Sequence, residues 1–381
     1  MPRVSIIIPV HNRPILVLEA VASVRAQSFV DWEAILVDDG STDATPKVLQ
    51  NLAAEDPRLT VLLGRQRGPA AARNTGAAKA RSDWLLFLDS DDWLAREALM
   101  SLLRAQKDAD LVHGVGVRVW GDRVQKRSQV PLPRGDLFHR LASSNAFMIH
   151  SCLLRSAFFH EIGGFDETLI GCEDWDLWQR VARSGARCKG VHALVAFYRL
   201  TESSLSTWYE QQLRNGLTII DRGHSRDPRV PRPHPAYADG APRAEYPAAA
   251  YRFASWLAAV AIARRQSPQG IVRGMAALPA ARLSASDIAA VIFYAIPLGL
   301  DDFAPRWDAH WPRLKPQLQS FLTELSAIAG CAPRFGANVL KQVELAAAAD
   351  ALHVTRVLRS VAWRVIHRYR RGALSRWGSS G

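Results

Sequence analysis

The sequence has few cysteines and no long hydrophobic run, and both absences narrow the classes of protein that it can encode. Its four cysteines contain no Cys-x-x-Cys pair and form no dense framework, which is typical of reduced thiols in an intracellular protein. The longest apolar stretches, 253–263 and 288–300, are shorter than the roughly 20 residues that span a bilayer. The apolar run near the start is too short for a signal-peptide core. The sequence therefore predicts no transmembrane segment and a cytoplasmic location.

Two common nucleotide-binding motifs are missing as well. No Gly-x-Gly-x-x-Gly follows the first predicted strand, and the segment that starts at Gly114 lacks the third glycine. No Gly-x-x-x-x-Gly-Lys-Ser/Thr loop occurs either. Because such loops hold phosphate groups through their backbone, a dinucleotide-binding fold and a P-loop enzyme both lose their main support.

The composition is that of a folded chain, with 48% hydrophobic and 22% charged residues among 381. At about 100–200 residues per domain, this length predicts two domains, or one large domain with an extension. The net charge of +12 is unevenly distributed, since residues 351–381 contain seven arginines and no acidic residue. If the chain binds a negatively charged partner, the basic tail at 351–381 is therefore the first candidate for the contact.

Strand and helix signals alternate in the first part of the chain. Val4–Val10 is a β-branched run typical of a strand buried on both faces, and similar runs recur at 33–37, 59–63 and 84–88. Segments with helical apolar spacing lie between them. This alternation predicts an α/β fold with an open, mostly parallel sheet flanked by helices.

The pattern changes near residue 220. Residues 221–250 are rich in proline, arginine and histidine, which predicts a linker, and the alanine-rich segment that follows predicts helices. We expect an α/β domain over 1–220, a linker over 221–250, and a mainly α-helical C-terminal region over 251–381.

Acidic residues stand at the ends of two predicted strands. The second strand runs into Asp38 and Asp39, and the fourth into Asp89, Asp91 and Asp92. Ligands of open α/β sheets bind beyond the carboxyl ends of strands, and two carboxylates spaced Asp-x-Asp can share one Mg²⁺ or Mn²⁺. For the first pair, a structural role in a turn or helix cap is an equally strong interpretation. For the second group, the clustering of three acids favours a cation.

Four segments taken together resemble the family 2 glycosyltransferases of GT-A fold. They are VSIIIPVHNR from Val4, VDDGSTD from Val37, RNTG from Arg73 and FLDSDD from Phe87. Each alone is a weak signal, but all four occur in order on the expected strand or turn, and the resemblance covers roughly residues 1–206. It implies a GT-A nucleotide-sugar-binding sheet, a nucleotide-sugar donor that is usually UDP-linked, a divalent cation, and inverting transfer.

The resemblance also implies roles for single residues. Pro9, His11 and Asp39 would line the nucleoside site, with Asp38 as a further nucleotide-binding residue. Arg73 would approach the diphosphate.

The implied cation is Mn²⁺ or Mg²⁺, with Asp91 as a direct ligand and Asp89 near both the ribose and the metal. Asp92 would orient the loop or cap the next helix. The family often has a histidine after Tyr-Arg-x near the end of the domain, and this chain has Thr201 there. The third ligand is therefore open, with Glu202 or a water as the alternatives.

The pair Glu173-Asp174 completes the predicted site. The resemblance puts Asp174 in the position of the catalytic base, since an inverting displacement needs a carboxylate to take the proton of the acceptor hydroxyl. Asp174 opens a predicted helix, whose N-terminal dipole favours the anion and so predicts a carboxylate that is deprotonated at neutral pH. Taken alone, Asp174 would be interpreted as a helix cap. Together with the preceding motifs, the interpretation as the catalytic base is favoured.

The tail at 354–377 has the pattern of a basic amphipathic helix with aromatic residues. One interpretation is a helix that lies on an anionic membrane, which would make the protein peripheral on the inner face of the membrane. An equally strong alternative is a terminal helix docked on the protein with a solvated arginine face, and nucleic acid is the least favoured partner.

The leading hypothesis is a metal-dependent, inverting glycosyltransferase that uses a nucleotide-sugar donor and a glycan or lipid-linked acceptor, in the synthesis of cell-surface polysaccharide. The alternative is a non-catalytic glycosyltransferase-like module that binds a nucleotide sugar or a glycan, and the threonine at 201 is its only support. A nucleotidyltransferase also uses strand-end acids and metal. It would need a basic, glycine-rich loop after the first strand, and the residues from Pro9 to Asn12 do not form one.

Overall fold

The computed structural model of the chain describes residues 1–64, 66–121, 136–200, 208–300 and 305–350, and the backbone of 123–124 and 351. The predicted tail helix at 354–377, Thr201 and Glu202 lie outside the described residues. By its contacts the chain divides into two compact units. The first comprises Met1–Ser204 and Thr218–Arg243, and the second comprises Leu205–Leu217 and Ala244–Gly381.

A nine-stranded sheet forms the centre of the first unit. Its strands in chain order are β1 (Val4–Val10), β2 (Trp32–Asp38), β3 (Leu59–Leu63), β4 (Trp84–Phe87), β5 (Trp93–Leu94), β6 (Leu111–Trp120), β7 (Arg123–Val124), β8 (Cys152–Arg155) and β9 (Cys188–Arg199). They lie in the order β3-β2-β1-β4-β8-β6-β9-β5, and β7 pairs with β6. Strands β1 to β4, β6 and β9 run in one direction, and the other three oppose them. The carboxyl ends of β2, β4, β6 and β9 therefore meet at one edge of the sheet.

Helices cover both faces of this sheet. Those of the first unit are α1 (Leu16–Arg25), α2 (Thr45–Glu55), α3 (Pro69–Ala77), α4 (Ala98–Arg104), α5 (Leu137–Ser143), α6 (Ser156–Glu161) and α7 (Glu173–Arg183). On one face, Ile6 and Ile8 of β1 share a core with Val21 of α1, and on the other face Val37 of β2 packs with Ala72 of α3. Strand β1 is entirely buried because it has a partner on each side and a helix on each face. The predicted fold class is confirmed.

The second unit is helical. Its helices are α9 (Tyr246–Ala263), α10 (Gln269–Met275), α11 (Ala285–Gly299), α12 (Trp307–Ala329) and α13 (Phe335–Ala351), together with the first part of α8 (Tyr209–Gly223). Tyr251, Phe293 and Phe321 belong to its own buried core. Within the described residues, no helix combines the length and the apolar character needed to cross a membrane.

The segment from Thr218 to Arg243 packs as part of the first unit, although composition predicts a linker over 221–250. Two of its arginines, Arg222 and Arg229, form ion pairs with Asp176 of α7. Composition hides this role, because arginine and proline are equally typical of a solvated linker and of an irregular segment held by ion pairs.

Candidate active site

Helix α3 joins parts of the site that are far apart in the sequence. Its buried Arg73 donates from Nη2 to Oδ1 of Asp89 at 2.5 Å and from Nη1 to Oε1 of Glu173 at 2.7 Å. Asp89 follows β4 and Glu173 opens α7, so one guanidinium links the predicted metal loop to the residue that precedes the predicted base Asp174. Burial acts to lower the pKa of Arg73, but the charges and hydrogen bonds of Asp89 and Glu173 outweigh it and raise the pKa.

The residues after Arg73 place α3 and the loop before α7. The side-chain amide of Asn74 accepts from the backbone N–H of Phe165 at 2.9 Å and donates to its carbonyl at 3.0 Å. Gly76 lies against β1, where an added Cβ would be only 2.5 Å from Cγ2 of Ile7. The Arg-Asn-Thr-Gly segment therefore combines an ionic link, a loop anchor and a close helix–sheet contact.

The acid pair after β2 is engaged with the backbone. Oδ1 of Asp38 accepts from the N–H of Ser41 at 2.9 Å, and the carboxylate of Asp39 accepts from the N–H groups of Arg67 at 3.2 Å and Gly68 at 2.8 Å. Gly68 is the N-cap of α3, so Asp39 lies at the positive end of that helix. These bonds show a turn-forming role for Asp38 and a loop-holding role for Asp39. Their contacts with a nucleotide stay predictions.

Pro9 and His11 lie beside this pair. Pro9 is buried in β1, which pairs with β2, and Nδ1 of the exposed His11 is 3.1 Å from the carbonyl oxygen of Asp39. The side chain of Asn12 accepts from the N–H of Thr42 at 2.8 Å and ties the two loops together. The structure therefore brings together the three residues predicted to line a nucleoside site.

The acids after β4 have a different environment. Oδ1 of Asp92 accepts from the N–H of Arg199 at 2.6 Å, and its Oδ2 lies 3.1 Å from Nδ1 of the fully buried His150. Neither nitrogen of His150, nor Oδ2 of Asp92, has a hydrogen-bond partner of good geometry in the described part of the chain. Asp89, Asp92 and His150 each offer one ligand atom within 4.8 Å of the others.

Asp91 is outside that three-residue group, although the resemblance makes it the direct metal ligand. Apart from its own N–H, no described residue donates a hydrogen bond to its carboxylate. Its role as a ligand stays a prediction.

The charges around this loop fit a divalent cation. Burial, and then repulsion by neighbouring carboxylates, raises the pKa of Asp91 and of Asp92. Burial lowers the pKa of His150 to about 4, so its imidazole is neutral near pH 7 and can act as a ligand. Carboxylate oxygens and a neutral imidazole without hydrogen-bond partners are a donor set that Mn²⁺ accepts. Sequence reasoning missed His150, because a lone histidine in an apolar run has no pattern.

Asp174 is the second residue of α7, and both of its oxygens accept hydrogen bonds. Oδ1 accepts from the N–H of Trp175 at 2.7 Å, and Oδ2 accepts from Nδ2 of Asn145 at 3.0 Å. Burial and then the charge of Glu173 raise its pKa to about 7. The helix dipole predicted a shift in the opposite direction, and that prediction is wrong because desolvation and the adjacent carboxylate outweigh the dipole. Asn145 was not predicted, since no local pattern connects it to α7.

Ion pairs hold α7 in place. Its fully buried Asp176 pairs with Arg180 at 2.9 Å, Arg222 at 3.1 Å and Arg229 at 2.9 Å. Arg222 and Arg229 also pair with Asp166, in the loop before the helix, at 3.0 and 2.9 Å. The helix that carries Glu173 and Asp174 is therefore fixed by residues on three separate segments.

Comparisons with known proteins bear on the family to which the chain is similar. Residues 5–163 match the model of Glycosyl transferase family 2. Over 106 residues the chain is 39% identical to the GalNAc(5)-diNAcBac-PP-undecaprenol beta-1,3-glucosyltransferase of Campylobacter jejuni, covering 27% of this chain and 34% of that protein. Over 235 residues it is 29% identical to the succinoglycan biosynthesis protein ExoO of Rhizobium meliloti, covering 54% of this chain and 63% of that protein.

Among solved structures, that of S. aureus TarS 1–349 in complex with UDP aligns with 97% of this chain and 92% of that chain, at 16% identity and a TM-score of 0.49. The matched segments cover between 18% and 63% of the lengths of the curated relatives compared. The family match confirms the resemblance seen in the four sequence segments over residues 5–163, and the first unit has the sheet flanked by helices of the predicted fold class. Residues 5–163 of this chain belong to glycosyl transferase family 2.

Proposed function

We propose that this chain is a metal-dependent, inverting glycosyltransferase that moves a sugar from a UDP-linked donor to a hydroxyl group of a glycan or lipid-linked acceptor. The observation that carries the proposal is the pair of hydrogen bonds from Arg73 to Asp89 and Glu173. A donor held at the β4 loop would then have its anomeric carbon close to the first turn of α7, where an acceptor hydroxyl can be activated.

In this proposal Asp174 is the general base. The acceptor oxygen attacks the anomeric carbon as the bond to the diphosphate breaks, and Asp174 takes the hydroxyl proton. Hydrogen bonds from Asn145 and from the N–H of Trp175 orient its carboxylate. A pKa of about 7 suits the task, because such a base is about half ionised near pH 7 and still has appreciable proton affinity.

We propose that the cation is Mn²⁺ or Mg²⁺, held by Asp89 together with Asp91, or with Asp92 and His150. When bound, it would offset the negative charge that develops on the leaving diphosphate. The raised pKa values of Asp91 and Asp92 support this assignment, since burial and the neighbouring carboxylates disfavour their anionic forms and a bound cation would offset both effects.

The relatives support the acceptor class. One is named as a glucosyltransferase that acts on a diphospho-undecaprenol-linked glycan, and another as a protein of succinoglycan biosynthesis. We extend this to the present chain as a role in cell-surface polysaccharide synthesis. Peripheral contact with the inner face of a membrane, through residues 354–377, is part of the same proposal.

The decisive experiment combines binding and turnover. Thermal shift and calorimetry with UDP-glucose, UDP-galactose and UDP-N-acetylglucosamine, each with and without Mn²⁺, identify a donor, and release of UDP then measures turnover. The isosteric change Asp174→Asn is expected to keep donor binding and to lower turnover by about 10²–10⁴-fold, as expected for a lost general base. Asp308→Asn, an exposed change in the second unit, is the matched control.

Two outcomes would contradict the proposal. Unchanged turnover in Asp174→Asn would remove the base assignment. Tight binding of a UDP-sugar by the wild type, with neither hydrolysis nor transfer over the donor panel, would favour the non-catalytic module instead.

A further inference from the structure

Arg118 is a cation without an acidic partner in the part of the chain that the structure describes. Its side chain forms no hydrogen bond or ion pair with another described residue, and it is partly buried in β6. Burial lowers its pKa from the ordinary value, and the Tyr198 hydroxyl acts in the opposite direction. A guanidinium stays protonated under such conditions, so this partly buried positive charge has no compensating carboxylate among the described residues.

The position of Arg118 connects it to the acids after β4. It lies near the carboxyl end of β6, directly opposite Tyr198 of β9. The ring of Tyr198 stacks on that of His150 with a centroid distance of 5.9 Å and an interplanar angle of 4°. Nδ1 of His150 is in turn 3.1 Å from Oδ2 of Asp92.

The face of the sheet is fixed by side-chain alternation. Paired residues of neighbouring parallel strands project to the same side, so Arg118 shares the face that carries Tyr198 and His150. Gly116 is two residues away on this face, and a Cβ there would be 2.5 Å from Sδ of Met148, so the segment that leads to His150 covers this face. Arg118 therefore lies on the site's side of the sheet and at the site's edge.

Two other arginines of the site are engaged with protein carboxylates. Arg73 is held between Asp89 and Glu173, and the guanidinium of Arg199 is paired with Glu19. Their charges are balanced by these carboxylates, whereas Arg118 has no carboxylate partner among the residues that the structure describes.

We propose that Arg118 binds a phosphate group of a substrate at the carboxyl end of β6. The inference rests on the proposed function, in which the donor carries a diphosphate and a lipid-linked acceptor carries another. A guanidinium presents two parallel N–H groups that match two phosphate oxygens, which makes arginine suited to either source.

Calorimetry can distinguish the two sources. The wild type, Arg118→Met and Arg118→Lys are each titrated with UDP and with uridine in the presence of Mg²⁺, and with inorganic pyrophosphate after saturation with UDP. If the donor diphosphate is the ligand, Arg118→Met weakens UDP binding at least tenfold and leaves uridine binding unchanged. If the acceptor is the source, only pyrophosphate binding weakens. Arg118→Lys is expected to lose less than Arg118→Met in the affected titration.

Arg104→Met is the matched control, since Arg104 is exposed on α4. Binding of UDP and pyrophosphate by Arg118→Met within twofold of the wild type would overturn the proposal. Thermal unfolding without ligand is the second readout, because a cation kept for an outside anion should cost stability. We expect the melting temperature of Arg118→Met to equal or exceed that of the wild type. A lower melting temperature, together with a loss of uridine affinity as large as the loss of UDP affinity, would mean that Arg118 has a structural role and would contradict the proposal.

A failure of the proposed function gives a different result. A wild type that binds neither UDP nor uridine would contradict the transferase proposal. Titration with pyrophosphate alone would then decide about Arg118, and failure of the wild type to bind it would overturn that inference too.

Discussion

The loops after β2 and β4 look alike in sequence and differ in structure. Asp38 and Asp39 accept three hydrogen bonds from backbone N–H groups of other residues. Asp91 and Asp92 receive one such bond from the described residues, and their pKa values are raised by burial and by neighbouring carboxylates. The first loop finds its partners within the protein, and we propose that the second finds its partner in a bound cation. Adjacent acids after a strand can thus shape a loop or leave charge for a ligand, and the backbone around them decides which.

The largest expected difference between the loops is in catalysis. Asp91→Asn should lower sugar transfer by roughly 10³-fold, because a metal contributes several kcal/mol of charge stabilisation in the transition state. The free energy of unfolding without metal should not fall, since the change removes a carboxylate from a repulsive cluster. Steady-state release of UDP and urea unfolding measure the two effects. Full transfer activity in Asp91→Asn would show that transfer does not need this carboxylate, and it would contradict the proposed difference between the β2 and β4 loops.

The second largest expected difference between the loops is in metal binding. Mn²⁺ at about 100 times its dissociation constant is expected to stabilise the wild type by about 2.7 kcal/mol, because it binds only the folded state. Asp92→Asn should lose most of this gain, whereas Asp38→Asn should retain it. Thermal unfolding over a Mn²⁺ titration is the measurement. Equal loss in both variants would show that the cation does not depend on the β4 loop.

The free energy of unfolding should depend on the β2 loop rather than on the β4 loop, in contrast to catalysis and metal binding. Asp39→Ala leaves the N–H groups of Arg67 and Gly68 without their acceptor and should cost about 1–3 kcal/mol of unfolding free energy. Asp31→Ala, a change at an exposed acid beside β2, is the control and should stay within about 0.5 kcal/mol of the wild type. Urea unfolding at neutral pH checks both. A neutral Asp39→Ala would remove the loop-holding role.

Asp174 combines the features of the two loops, since both of its oxygens accept hydrogen bonds and yet its pKa is raised to about 7. Transfer should rise with pH and level off above about 7, because only the carboxylate can take the proton. The folded-state pKa lies above the unfolded value, so the stability that this group contributes is present at low pH and lost as the pH rises through about 7.

Asn145→Ala should shift this pH profile to higher pH, because the Asn145 hydrogen bond lowers the Asp174 pKa. This is the smallest expected effect. Asn51→Ala, at an exposed position of α2, is the control. An unshifted profile would mean that Asn145 does not orient the base.

Much of the fold could be predicted because strand burial follows from local sequence. The predicted strand Val4–Val10 is found as β1, since an unbroken β-branched run is typical of the centre of a parallel sheet. The apolar run at 145–154 has the pattern of one strand, but the structure has a 3-10 turn at Ile149–Ser151 before the short strand β8. An apolar run alone does not distinguish a buried turn from a strand.

The site could be predicted only where residues follow one another in a motif. Asp39, Arg73 and Asp89 stand in such motifs, and the structure connects all three through α3. His150 and Asn145 are brought to the site by tertiary contacts, and neither has a neighbour in sequence that signals its partner. The opposite shift of the Asp174 pKa could not be predicted either, because it depends on burial.

The ion pairs between α7 and the segment Thr218–Arg243 also have a consequence for dissecting the chain. The first unit is discontinuous, since its chain leaves at Ser204 and returns at Thr218. No single cut therefore separates the two units, and a fragment ended at residue 217 would lack Arg222 and Arg229 and leave the fully buried Asp176 with Arg180 alone. The smallest fragment able to fold with its base helix anchored must extend beyond the point where the family resemblance stops.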